Sequence, residues 1–90
     1  MNNVTTESAI EFPCDFPIKI MGRDTPEFRT MARSLVENHV GRVSEDAIRS
    51  AVSRDGSFVS VTVTVTATSQ QQLDAIYHDI SDHTDVLMAL

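Results

Sequence analysis

From Val59 to Ala67 the chain reads Val-Ser-Val-Thr-Val-Thr-Val-Thr-Ala, an unbroken two-residue alternation of small apolar and hydroxyl side chains. A period of two places Val59, Val61, Val63, Val65 and Ala67 on one face of a β-strand. Ser60, Thr62, Thr64 and Thr66 then lie on the other. β-branched residues suit this pleated surface and disfavour a helix. The pattern demands a sheet that is apolar on one side and wet on the other, which is the habit of antiparallel sheets. Something amphipathic must cover the valines.

Two helices answer that need. Thr25 is an expected N-cap, with Pro26 at the first helical position and Glu27 at the positive end of the helix dipole. Phe28, Met31, Ala32, Leu35, Val36 and His39 then follow helical spacing toward the core, Arg29, Arg33 and Glu37 fall on the outer side, and Gly41 ends the helix. Further on, Ser69-Gln70-Gln71-Gln72 is a capping box, with Ser69 capping and Gln72 reaching back. The second helix is expected to bury Leu73, Ile76, Tyr77 and Ile80.

Three more strands complete the pattern. The first is expected over residues 16–21, with Phe16, Ile18 and Ile20 facing the core, Pro17 at its start, and Gly22-Arg23-Asp24 as the turn. The second is expected over residues 47–54, ending in an Arg54-Asp55-Gly56-Ser57 hairpin whose Asp-Gly suits a type I′ turn. The last is expected over residues 86–90. The order is β-α-β-β-α-β, an α+β fold: a ferredoxin-like βαββαβ sandwich with two helices packed on one face of a four-stranded antiparallel sheet. An incomplete sheet without the fourth strand is the alternative. Residues 1–11 are expected to form a flexible polar tail, with Phe12 against the domain edge, and residues 12–90 one domain; 90 residues leave room for no second core.

Charge narrows the function. The chain carries 13 acidic and 7 basic residues, a net charge of −6. All the basic residues lie between Lys19 and Arg54, and Asp55 to Leu90 contains none. Repulsion from phosphates opposes nucleic-acid binding. The expected outward sheet positions Lys19, Met21, Ser60, Thr62 and Thr64 also lack the aromatics on which bases stack. There is no 18-residue apolar run to cross a membrane. The first residues have no basic start and no apolar core, so no secretory signal is expected. With Cys14 as the single cysteine, a reducing, cytoplasmic setting is expected.

Reactive chemistry finds little support. His39, His78, His83 and Cys14 are the soft ligands available, with no CxxC. The i, i+4 pairs His78/Asp82 and Asp79/His83 read most simply as helix-end polar residues, and His39 as structural. Cys14 has no basic sequence neighbour to activate it. No metal, no cofactor and no catalytic residue is expected, and the chain is expected not to be an enzyme.

Several features together carry a family resemblance. They are Ile10-Glu11-Phe12-Pro13, Phe16-Pro17-Ile18-Lys19-Ile20-Met21-Gly22, Pro26-Glu27, the Gly56-Ser57 hairpin, the Val/Thr strand, and Asp85-Val86-Leu87-Met88-Ala89-Leu90. Over roughly nine tenths of its length the chain resembles the YbeD-like family of small uncharacterised bacterial proteins. That resemblance implies a ferredoxin-like fold similar to regulatory ACT domains. It also implies a link to lipoate metabolism, since members are often encoded near lipoate-attachment genes. It implies no catalytic residues. The ACT loop Gly-x-Asp-x-Pro-Gly is echoed by Gly22-Arg23-Asp24-Thr25-Pro26-Glu27, but Glu27 stands where a glycine lets a ligand approach the backbone.

The candidate ligand- or partner-binding residues are therefore Arg23, Asp24, Glu27, Arg29 and Arg33, around the start of the first helix. There an acidic partner or small anion would meet arginines and helix N–H groups. An ordinary solvated face, with Arg33 and Glu37 paired at i, i+4, explains the same residues. The expected function is a small regulatory or adaptor domain that binds a protein or a small metabolite. The alternatives are a small enzyme with an anion site at the Gly22–Glu27 loop and a structural dimerisation subunit pairing through a sheet edge into a homodimer.

Overall fold

The computed structural model describes residues 10–90; most of the expected tail, residues 1–9, lies outside the described residues. The elements are β1 (Cys14–Arg23), α1 (Pro26–Val40), a short 3-10 turn (Glu45–Ala47), β2 (Ile48–Val52), β3 (Phe58–Ala67), α2 (Gln70–Asp82) and β4 (Val86–Ala89). The sheet order is β2-β3-β1-β4. β1 runs antiparallel to both β3 and β4, and β2 antiparallel to β3. Hence β1 and β2 are parallel with β3 between them, and β3 and β4 are parallel with β1 between them. This is the ferredoxin-like α+β arrangement.

Ile18 and Ile20 of β1 and the four valines and Ala67 of β3 are buried with Phe28, Ala32 and Val36 of α1 and Leu73, Ile76 and Ile80 of α2. No polar or charged side chain is buried among the described residues. Each helix starts as its sequence dictates. The Thr25 hydroxyl accepts the Phe28 N–H at 3.1 Å, and the Ser69 hydroxyl accepts the Gln72 N–H at 3.1 Å. Gln72 reaches back one residue further than a capping box requires, its carboxamide oxygen accepting the Thr68 N–H at 2.8 Å.

The structure corrects the strand boundaries in several places. β1 is ten residues long and continues through Gly22 and Arg23, which pair with Val59 and Phe58 instead of turning. Pro17 therefore lies inside the strand, opposite Thr64. It is tolerated because its nitrogen points the same way as that of Lys19, whose N–H bonds Leu90 of the β4 side at 3.0 Å. At Pro17 that side has no paired strand, so no ladder bond is lost. β2 is shorter than expected at both ends: Ala47 belongs to the 3-10 turn, and Ser53 and Arg54 lie in the approach to the hairpin. The hairpin is closed by the Ser53 N–H donating to Phe58 O at 2.8 Å, with four residues between. Gly56, with φ of 80°, follows a turn in which its N–H bonds Ser53 O at 2.9 Å. That turn replaces the expected two-residue type I′ connection. Asp55 braces it by accepting from the Ser53 hydroxyl and the Ser57 N–H.

The fourth strand is held at its end as well as along its edge. Leu90 exchanges backbone hydrogen bonds with Lys19, and the Tyr77 hydroxyl of α2 donates to Leu90 O at 2.8 Å. The Tyr77 ring meets Phe16 edge-on, with centroids 6.5 Å apart. Phe12 packs against the core cluster from the lead-in to β1.

Gly22 is the tightest point of the sheet. A Cβ there would stand 2.3 Å from Cε1 of Phe28 and 2.7 Å from the Asp85 carbonyl oxygen. The absent side chain lets α1 and the start of β4 close over β1. Gly22→Ala should lower the unfolding free energy by about 2 kcal/mol or more, the scale of core overpacking, read by urea titration. Adding Phe28→Leu, which removes the ring atoms Cε1 and Cζ, should make the two losses less than additive. Strict additivity would mean that the Phe28 ring is not what Gly22 accommodates.

Candidate functional site

The five candidate residues do not form one cluster. Arg29 pairs with Asp24 at 3.0 Å across the start of α1. Glu27 is exposed in the first turn beside Pro26, Thr30 and Met31, with no ion pair within 4.0 Å among the described residues. Arg23 lies at the end of β1, its guanidinium carbon 5.6 Å from the centroid of the Phe58 ring. Such a contact contributes about 0.5–1 kcal/mol at an exposed site. Arg23 also borders a groove with Thr25, Phe28, Thr84, Asp85 and Leu87.

Arg33 borders one groove with Arg29, but its guanidinium is committed to other partners. Its Nε donates to Glu37 at 3.2 Å, Nη1 to Glu45 at 2.7 Å and Nη2 to the Val43 carbonyl at 2.6 Å. Glu37 in turn accepts the Val43 N–H at 2.8 Å. Sequence spacing supplied the Arg33–Glu37 pair, but not Val43 or Glu45, because their approach needs the turn after Gly41. The network folds the 41–45 loop back on α1 and aims the chain into β2. The Val43 N–H, followed by Arg33, holds the Glu37 carboxyl below its ordinary range. Glu45, followed by Glu37, raises the Arg33 pKa further. Ser57 N–H and the Ser53 hydroxyl likewise depress Asp55, and burial raises the Tyr77 phenol.

The remaining polar residues are dispersed. His39 Nε2 lies 2.6 Å from the Asp79 carboxylate, tying the C-terminal part of α1 to α2. The His83 Nδ1 accepts the Asp85 N–H at 3.1 Å. Among the described residues no three His, Cys, Asp or Glu side chains are grouped to hold a metal ion. Nor is any helix long and apolar enough to cross a membrane.

The sheet face opposite the helices is uncovered. The register places Ala51, Ser60, Met21 and Met88 in one row across all four strands. Arg49, Thr62 and Lys19 form the next row, continued by Leu90 through its backbone bonds to Lys19. Arg23 and Phe58 lie beyond Met21 and Ser60. Met88 is 50% exposed, Leu90 61% and Phe58 37%. Periodicity assigns Lys19, Met21 and the hydroxyl row to this face. Met88 and Leu90 were missed, because only the β1–β4 register shows which way they point. Extending the alternation one residue back from Val59 would have found Phe58.

Comparison with known proteins follows the whole chain. A family model described as Protein of unknown function (DUF493) matches residues 7–90. A UPF0250 protein of Nitrosomonas europaea is 41% identical over 87 residues, covering 97% of this chain and 100% of the relative. A UPF0250 protein of Chromobacterium violaceum is 44% identical over 84 residues, covering 93% of this chain and 94% of the relative. The solution structure of protein HP0495 from H. pylori superposes with a TM-score of 0.74 over 100% of this chain and 94% of that one. At 17% identity that similarity concerns the fold alone.

The Glu37 network makes stability depend on acid. Its carboxyl is more acidic folded than unfolded, so its stabilisation is complete above the unfolded value near 4.5 and fades as the pH falls through the folded one. The Tm of Glu37→Gln should therefore fall below wild type at about pH 6, and the gap should narrow below about pH 4. Thermal melts from about pH 2.5 to 6 check this; a gap that stays constant would contradict it.

Proposed function

The chain belongs to the DUF493 family, the UPF0250 or YbeD-like proteins, and on that premise we propose that it is a non-enzymatic regulatory or adaptor domain that works by binding another protein in the cytoplasm. The observation that carries this reading is the bare sheet face. Met21, Met88, Leu90 and Phe58 present apolar surface there, while the other face of the same sheet is sealed by two helices. Covering that surface gains free energy in proportion to the apolar area removed from water, about 25 cal/mol per Å². Two layers with one uncovered sheet face await a third.

Small-metabolite binding is the weaker version of the same role. The groove beside Thr25 and Phe28 holds only about 200 Å³, less than an ordinary ligand pocket, and Asp85 shares its rim with Arg23. The two arginines on α1, Arg29 and Arg33, already hold carboxylates. The lipoate link implied by the family resemblance makes proteins of lipoate metabolism the first partners to seek.

Affinity capture with the full chain tests the role. Proteins retained by the wild type should be lost with Met88→Asp or Met21→Ser. They should be kept with Asp82→Ala, on the exposed side of α2. Retention that is the same for all four forms, or nothing retained by the wild type, would end the proposal.

A further inference from the structure

The uncovered sheet face has a charge unlike that of the molecule. The whole chain carries a net charge of −6. On this face, however, Lys19, Arg23 and Arg49 stand around the Met21–Met88 pair, and within 4.0 Å none of the three has an ion-pair partner among the described residues. The arginines on α1 are different, since Arg29 and Arg33 both hold carboxylates. The acids nearest the face are Asp15, opposite Thr66 at its far end, Asp46 at its rim beside Arg49, and Asp85, which shares a groove with Arg23 but forms no ion pair with it within 4.0 Å. From Asp55 onward every formal charge is negative, so α2 carries Asp74, Asp79 and Asp82 on the opposite layer. The domain is polarised: cations surround the exposed methionines, and the acids of the helix layer crowd α2, while α1 carries two glutamates and two arginines.

We infer that this face docks an acidic amphipathic helix of a partner protein; the inference rests on the adaptor reading above and names its partner's chemistry. The dimensions agree. Four strands at about 4.8 Å spacing are about 14 Å across, the width that one helix of about 10–12 Å diameter occupies. The helix's apolar stripe lies on Met21 and Met88. Carboxylates to one side reach Lys19 and Arg49, one row away, and those to the other side reach Arg23. Unpaired cations lose little on meeting such a partner, because no internal salt bridge is broken. The field also steers an acidic surface toward this face and away from the helix layer.

Other occupants fit less well. Phe58 is the sole aromatic on the face among the described residues, and Arg23 already covers its ring, so bases have no stacking platform. A second copy meeting face to face would set like charges together. A second copy offering α2 would bring acids but no large apolar side chain, since Asp74, Ala75, His78, Asp79 and Asp82 fill its exposed side.

Two synthetic helical peptides of about 14 residues, about four turns, serve as probes. Both carry a leucine stripe; one has glutamate on the remaining positions and the other lysine. Titrated into the isotope-labelled full chain, the glutamate peptide should shift the amides of Lys19, Met21, Arg49, Thr62 and Met88. Its Kd should rise about tenfold or more between about 50 and 500 mM salt, and as much in Lys19→Glu/Arg49→Glu. The lysine peptide should bind that double variant and not the wild type. The substituted positions are exposed; should that variant fail to fold, Lys19→Gln/Arg49→Gln and the salt dependence of the wild type carry the same test. Equal binding of both peptides would overturn the inference but leave the adaptor reading standing. So would partner capture that depends on Met88 yet ignores salt. Shifts confined to α1 or to the β2 edge, or no shift at all, would overturn it. Self-association of the chain that the double variant abolishes would overturn it in favour of a second copy.

Discussion

Ten consecutive residue pairs join β1 to β3, from Cys14 opposite Ala67 to Arg23 opposite Phe58. Every other part of the domain is placed by that ladder. It brings Ile18 and Ile20 against Val63 and Val61 on one side of the sheet, making the apolar surface that both helices cover. It leaves one outer edge on each strand, which β2 and β4 then occupy. A slip of one residue would turn the valines to solvent and the threonines to the core, and burial on one side alone forbids it. Gly22 permits the ladder to run its full length beneath Phe28 and the Asp85 carbonyl.

Around this centre the polar residues secure the connections. Arg33 and Glu37 clamp the loop after α1 through Val43 and Glu45, at the point where the chain must reverse to enter β2. Tyr77 and Lys19 hold the end of β4. His39 joins Asp79 between the helices. Much of the charge on the helical side is thus occupied by the fold, whereas among the described residues Lys19, Arg23 and Arg49 on the open sheet hold no carboxylate within 4.0 Å, as is also true of Arg42 and Arg54 in the loops after α1 and β2. That division is why the proposed adaptor role is assigned to the sheet and not to the start of the first helix.

Local chemistry misleads where it yields to strand pairing. Gly22-Arg23-Asp24 has turn residues, but pairing with Val59 and Phe58 extends the strand through the first two. Asp55-Gly56 has the chemistry of a tight two-residue turn, yet Ser53 closes on Phe58 and takes four residues into the loop. Pro17 belongs at a strand start by its own preferences, and the missing neighbour on one side admits it to the interior. The candidate arginines were identified by proximity along the chain. Their separation into a helix-start pair, a loop clamp and a sheet-face cation needed their side-chain contacts.

By itself the sequence determined the order of elements, both helix starts and the face of the third strand that is buried. These follow from periods of two and 3.6 and from caps within three residues of their partners, all short-range properties. It also determined the lopsided distribution of charge along the chain. Only the tertiary structure decided which side chains share the open face. Met88, Met21, Ser60 and Ala51 come from four separate strands, and nothing in their spacing relates them. Their common row exists because hydrogen-bonded register across the sheet, including the irregularity at Met21/Gly22, sets where each strand stops relative to its neighbour.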